Sequence, residues 1–128
     1  MFASTKATNG FAVDDIEAAK RFYGEVLGLG TTDLSEEFGV MSIQLAGGRD
    51  TLVYRKDDFV PATYTILNFE VDDVDAAVDE LGAKGVAFER YEGFDQDEKG
   101  IARGPGPSIA WFKDPAGNIL SVLQQPSA

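Results

Sequence analysis

Carboxylates are the most abundant reactive side chains in this chain, and several stand side by side. Asp14-Asp15, Glu36-Glu37, Asp72-Asp73 and the run Asp95-Gln96-Asp97-Glu98 are the clearest cases. Paired carboxylates could divide general acid and general base roles, or hold a divalent cation. The other candidates are hydroxyls, amides, Lys and Arg, because the 128 residues include no Cys and no His. Those absences exclude disulfides, thiolate nucleophiles, Ser–His triads and imidazole metal ligands. A chain without Cys fits a reducing compartment.

Position decides what the acidic pairs do. Phe11 to Ala19 reads FAVDDIEAA, and Phe69 to Ala77 reads FEVDDVDAA. Such internal repetition indicates a duplicated module, with too few copies for a solenoid. Each copy follows an extended apolar run, Ala7 to Val13 and Tyr64 to Val71, whose β-branched and aromatic content favours strand. The Asp pair then stands at a helix start, where a carboxylate accepts free backbone N–H groups and meets the positive end of the dipole. Asp14 or Asp15, and Asp72 or Asp73, are therefore read as caps, with Asp14 and Glu17 spaced as a capping box. Ile16, Ala19, Phe22, Tyr23, Val26 and Leu27 recur at helical spacing, as do Val74, Ala77, Val78 and Leu81. Gly28 and Gly82 are the expected stops.

Short strands follow each helix. Val40 to Leu45 alternates, Gly47-Gly48 turns, and Thr51 to Tyr54 continues; in the second copy Val86 to Tyr91, Ile109 to Phe112 and Ile119 to Leu123 read as strands. The expected fold class is α+β: two βαβββ modules, residues 7–56 and 63–124, within one domain spanning 1–128. The link Lys56 to Pro61 is short and polar. A charged loop rich in Gly and Pro, Glu92 to Pro107, interrupts the second module and is read as a mobile lid, with Arg103 available to an anionic group. Glu36-Glu37 and the Asp95 to Glu98 run lack the spacing of a calcium loop and read as solvated.

The net charge is −11 and the isoelectric point about 4.2. Such a surface repels phosphate backbones, which argues against nucleic acid, and attracts cations. Met1 to Gly10 has no apolar signal core, and no apolar run approaches the ~20 residues of a membrane span. The expected location is cytoplasmic, with no membrane partner.

The duplicated module, the segment Phe22-Tyr23-Gly24-Glu25-Val26-Leu27-Gly28-Leu29 and the FxDPxGN turn at Phe112-Lys113-Asp114-Pro115-Ala116-Gly117-Asn118 resemble the vicinal oxygen chelate superfamily. That superfamily includes glyoxalase I, bleomycin-resistance proteins and extradiol dioxygenases. The resemblance runs from about Ala7 to Gln124. It implies mixed-sheet half-barrels around a cavity, a homodimer, and metal ligands (His, Glu or Gln) at inward-facing strand positions. Carried over, those positions fall on Thr8, Ile66, Ser121 and, through a hairpin placed at Arg49-Asp50, Val53. Two hydroxyls and two aliphatic side chains cannot grip a catalytic divalent ion. No metal and no other cofactor is expected.

What remains is an apolar cavity with a few polar groups, the composition of a small-molecule pocket. Phe112 is expected against the helices, so strand alternation turns Trp111 toward the cavity. Thr8, Val53, Ile66 and Ser121 face inward by parity with the lost ligands, and Phe38, Met41 and Tyr54 close the walls. The function this implies is metal-independent binding of a hydrophobic or aromatic ligand, cationic in its sharper form, as in bleomycin resistance. The alternative is a lyase, isomerase or dioxygenase-type enzyme of the same superfamily, with carboxylates such as Glu70 or Glu89 at work.

Overall fold

Both copies of the repeat run from strand into helix at the second aspartate of the pair. The computed structural model describes residues 1–126. In it β1 is Asn9–Val13 and α1 is Ile16–Arg21; β5 is Thr65–Glu70 and α2 is Val74–Ala83. Asp15 Oδ1 accepts from the Ala18 amide at 3.1 Å, and Asp73 Oδ1 from the Ala76 amide at 3.1 Å. With Asp15 as cap, the third helical residue is Ala18 rather than Glu17, so the capping box expected from Asp14 and Glu17 does not form.

α1 continues into a π-helical turn, Phe22–Val26, marked by the Leu27 amide donating to the Phe22 carbonyl at 3.0 Å. Gly28 then takes φ 73°, the left-handed conformation expected of a helix stop. The second helix corrects the sequence reading. Gly82 lies inside α2, and the positive φ, 91°, falls on Gly85.

The first module adds β2 Gly30–Ser35, β3 Val40–Leu45 and β4 Arg49–Arg55 in the order β1-β4-β3-β2. The β1–β4 pair is parallel and the others antiparallel. The second adds β6 Ser108–Lys113 and β7 Ile119–Gln124 in the order β5-β7-β6, with β5–β7 parallel. The architecture is α+β, with two mixed sheets and no closed barrel. The chain divides into two compact units, Met1–Pro61 and the residues from Ala62 onward. No helix among the described residues is long and apolar enough to cross a membrane.

The segment Val86 to Tyr91 does not become the expected fourth strand of the second sheet. It makes one bridge, Phe88 to Phe112, and the Glu89 amide donates to the Trp111 carbonyl at 2.8 Å. Beyond that point the Gln96 side chain replaces the ladder. Its Oε1 accepts from the Tyr91 amide at 2.8 Å, and its Nε2 donates to the carbonyls of Glu89 at 2.9 Å and Gly100 at 2.8 Å.

Pairing registers define two faces for each sheet, because side chains alternate. In the first module Phe11, Val53, Met41 and Asp33 form one cross-strand row. Its ends meet the helix: the Phe11 ring lies 5.6 Å from Tyr23, and Lys20 Nζ lies 2.8 Å from Asp33. This is the core face, where Tyr23, Met41, Ile43 and Val53 are fully buried. In the second module Leu67, Leu120 and Phe112 form a row, with Phe69, Val122 and Ala110 beside it. α2 packs on β6 and β7 and buries Val74 and Val78.

The FxDPxGN turn joins β6 to β7. Asp114 and Asn118 are 4% and 2% exposed, and Gly117 takes φ 95°, a conformation most side chains avoid. Asn118 Oδ1 also accepts from the Ala62 amide at 3.3 Å, tying the turn to the start of the module.

Candidate ligand-binding site

The face of the second sheet opposite Phe112 carries the row Asn68, Ser121 and Trp111. Trp111 therefore has the orientation that strand alternation predicts. Its indole is 8% exposed. The Tyr91 ring meets it edge-on at 5.5 Å and 74°, and the Phe94 ring tilts over it at 4.8 Å and 59°. Such pairs contribute ~0.5–1.5 kcal/mol each beyond buried area. Phe94 itself stays more than half exposed, so the cluster grades from buried indole to solvent.

Polar groups share this face of the sheet. Ser121, fully buried, donates from Oγ to Asn68 Oδ1 at 2.5 Å. Lys113, on the Trp111 side of β6, pairs with Glu89 at 3.3 Å. The Tyr91 hydroxyl is buried and has no hydrogen-bond partner. Burial raises its pKa, as does the charge of Glu89, against a smaller opposing effect of Lys113.

The loop after Tyr91 is tied down by charge and amide contacts. Asp97 accepts from the amides of Lys99 and Ile101, each at 2.9 Å. Arg103, read from the sequence as available to an anionic ligand, is engaged instead. It donates to Asp75 at 2.7 Å and to Asp97 at 3.2 Å, linking the loop to α2. Lys99 adds a second link, to Asp79 at 3.0 Å.

Thr8 is exposed and precedes β1; Ile66 is half-buried in β5 at a register shift between Thr65 and Leu67. Val53 and Met41, expected to face a cavity, lie in the core row beneath the helix. Tyr54 is 39% exposed on the opposite face, in register with Ala12 and Val40. Phe38 is 66% exposed in the turn between β2 and β3, its amide donating to Ser35 Oγ at 3.2 Å. Ser121 and Trp111 share a row. Tyr91, Phe94 and Asn68 were not singled out in the sequence; the Trp111 contacts that distinguish them depend on the loop path and the β5–β7 register.

The register also corrects one carried-over position. Gly10 pairs with Leu52 in the first module as Asn68 pairs with Ser121 in the second. Gly10 and Asn68 hold equivalent places before Phe11 and Phe69, so Leu52 rather than Val53 is the counterpart of Ser121. A one-residue slip sends a side chain to the other face of a sheet. Thr8, Leu52, Ile66 and Ser121 still make no donor set for a divalent cation. Among the described residues no group of three or more His, Cys, Asp or Glu could hold a metal ion. The residues present do not fit the metal of the superfamily.

A recess of about 190 Å³ in the first module is lined by Glu17, Lys20, Asp33 and Glu36 among others. Lys20 bridges Asp33 and approaches Glu17 at 3.9 Å, so this recess is a salt-bridged notch.

A family model described as the Glyoxalase/Bleomycin resistance protein/Dioxygenase superfamily matches residues 7–122. The chain is similar to TnmS3, an antibiotic binding protein from Streptomyces sp. CB03234, at 28% identity and a TM-score of 0.68, covering 96% of this chain and 98% of that one. It shares its fold with lactoylglutathione lyase from Agrobacterium tumefaciens at 21% identity and a TM-score of 0.69, covering 95% of each chain. The fosfomycin resistance protein FosX from Listeria monocytogenes shares it too, at 14% identity and a TM-score of 0.73, covering 96% of this chain and 92% of that one. No curated protein matches the sequence.

Proposed function

From the premise that this chain belongs to the Glyoxalase/Bleomycin resistance protein/Dioxygenase superfamily, we propose that it binds a small planar molecule without a metal. The observation that carries this reading is the cluster of Tyr91, edge-on, and Phe94, tilted, against Trp111, on the sheet face that also carries the polar pair Ser121–Asn68. A cluster of aromatic rings with a few polar groups suits a planar organic ligand. The net charge of −11 favours a cation, which would also gain from the faces of the indole and phenol. The similarity to an antibiotic binding protein supports sequestration, and with it a role in antibiotic resistance. A homodimer in the cytoplasm completes the proposal, and light scattering of the purified protein tests the dimer.

The enzymatic alternative finds less support. Glu70 accepts from Gln125 at 3.0 Å, and Glu89 is paired with Lys113 at 3.3 Å.

Trp111 is the single tryptophan of the chain, so its emission reports on the site directly. Titration with proflavine, a planar cation, should quench it saturably, and acridine-9-carboxylate, a planar anion, should bind more weakly. Trp111→Leu, followed by calorimetry, should weaken proflavine binding roughly tenfold. Failure of both dyes to produce a saturable change would end this reading.

A further inference from the structure

Trp111 is 8% exposed, so a flat ring meets almost no indole surface on which to stack. Of the two rings set against it the nearer is Phe94, at 4.8 Å, and Phe94 is itself 54% exposed. Its backbone is lightly held. Residues 92–95 are all exposed, and the Phe94 amide reaches the Tyr91 carbonyl at 3.4 Å, longer than an ordinary bond of about 2.9 Å. Gly93 takes φ 89°, with open space where a side chain would stand. Exposed backbone bonds and few buried contacts mark a segment that opens locally. The chain beyond it is fixed. Gln96 bonds to the Tyr91 amide and to the Gly100 carbonyl, Ile101 is fully buried, and Ala102 and Ile109 exchange backbone bonds at 2.8 and 3.1 Å. Within the loop Glu92 to Pro107, a four-residue arc carrying one large apolar ring therefore stands on a rigid base.

We infer that Phe94 is a displaceable cap: its ring holds the place on Trp111 that the ring of a planar ligand takes, and residues 92–95 carry it out to solvent as the ligand enters. This rests on the reading of the Trp111 face as the ligand site. The ligand replaces one aromatic contact with another at the same indole. The capped form has no free indole surface, so the apparent affinity is the intrinsic affinity reduced by the uncapped fraction. Removing the Phe94 ring then tightens binding, whereas removing an ordinary member of a binding surface weakens it.

The sign of the change in Phe94→Ala provides the test, with two readouts. Without ligand, quenching of the Trp111 emission by acrylamide, a small neutral molecule, should rise severalfold in this variant. In calorimetric titration at pH 7, its Kd for proflavine should fall roughly threefold to tenfold below that of wild-type protein. Phe94→Tyr keeps a ring and should match wild-type protein in both measurements. Unchanged acrylamide quenching in Phe94→Ala would show that the ring does not shield the indole and would overturn the inference. Proflavine binding that is equal or weaker in Phe94→Ala, with wild-type protein binding the dye, would also overturn it while leaving the reading of the face standing. If proflavine binds neither protein, the reading of the face falls, and this inference with it.

Discussion

Both carboxylate oxygens of Asp114 are taken by Asn118: Oδ1 accepts from its backbone amide at 2.8 Å and Oδ2 from its side-chain Nδ2 at 3.1 Å. The Asp114 amide returns a bond to the Asn118 carbonyl at 2.9 Å, and Gly117 donates to the Asp114 carbonyl at 3.0 Å. The turn is therefore a closed hydrogen-bonded unit beneath the ends of β6 and β7. Removing the carboxylate takes these two acceptors away from the buried Asn118. Asp114→Ala should cost roughly 2–3 kcal/mol in urea unfolding. Asp114→Asn offers a single acceptor and should recover only part of that. An unchanged midpoint for Asp114→Ala would show that the turn is held by its backbone alone.

Acid should loosen the loop after Tyr91 in a defined window. Burial alone would raise the pKa of Asp97, but the Ile101 amide, the Arg103 guanidinium and the Lys99 amide outweigh it and hold the carboxyl below its ordinary value. A group depressed in the folded state contributes stability above its unfolded pKa, about 3.9, and loses it as pH falls through the folded value. Exchange protection of the Lys99 and Ile101 amides should hold steady from neutral pH down to about pH 4 and then fall. Asp97→Asn should begin with a looser loop and show no such acid step. Persistence of the step in that variant would assign it to another carboxylate.

The helix caps give a test within each Asp pair. Asp73→Ala should cost about 1 kcal/mol of stability, and Asp15→Ala a similar amount. Asp72→Ala and Asp14→Ala should leave the urea midpoint nearly unchanged, because the Ala76 and Ala18 amides bond to the second carboxylate of each pair. The reverse order of effects would move the cap by one residue.

Much of the fold is legible in the chain because it is written in local terms. FAVDD and FEVDD announce a strand that turns into a capped helix, and the pleat places Trp111 opposite Phe112 from their adjacency alone. Errors arise where the outcome depends on a partner far away. β2 reads GTTDLS and has little apolar alternation; it becomes a strand because β3 pairs with it. Val86 to Tyr91 has strand composition, but the Gln96 side chain takes the hydrogen bonds a fourth strand would have used. Val53 and Leu52 differ by one register step, which composition cannot fix. Tyr91 and Phe94 join Trp111 only through the path of the intervening loop.

The strand order carries a consequence for how the protein is made. β1 lies at the edge of its sheet and bonds to β4, the last strand of its half; β5 bonds to β7 in the same way. On the ribosome, then, the earliest strand of each half emerges long before its mate exists. The first sheet cannot be completed until Arg55 has cleared the exit tunnel, nor the second until Gln124 has done so. Closure over such sequence separations is slow compared with helix formation, so each nascent half waits with its opening strand unzipped.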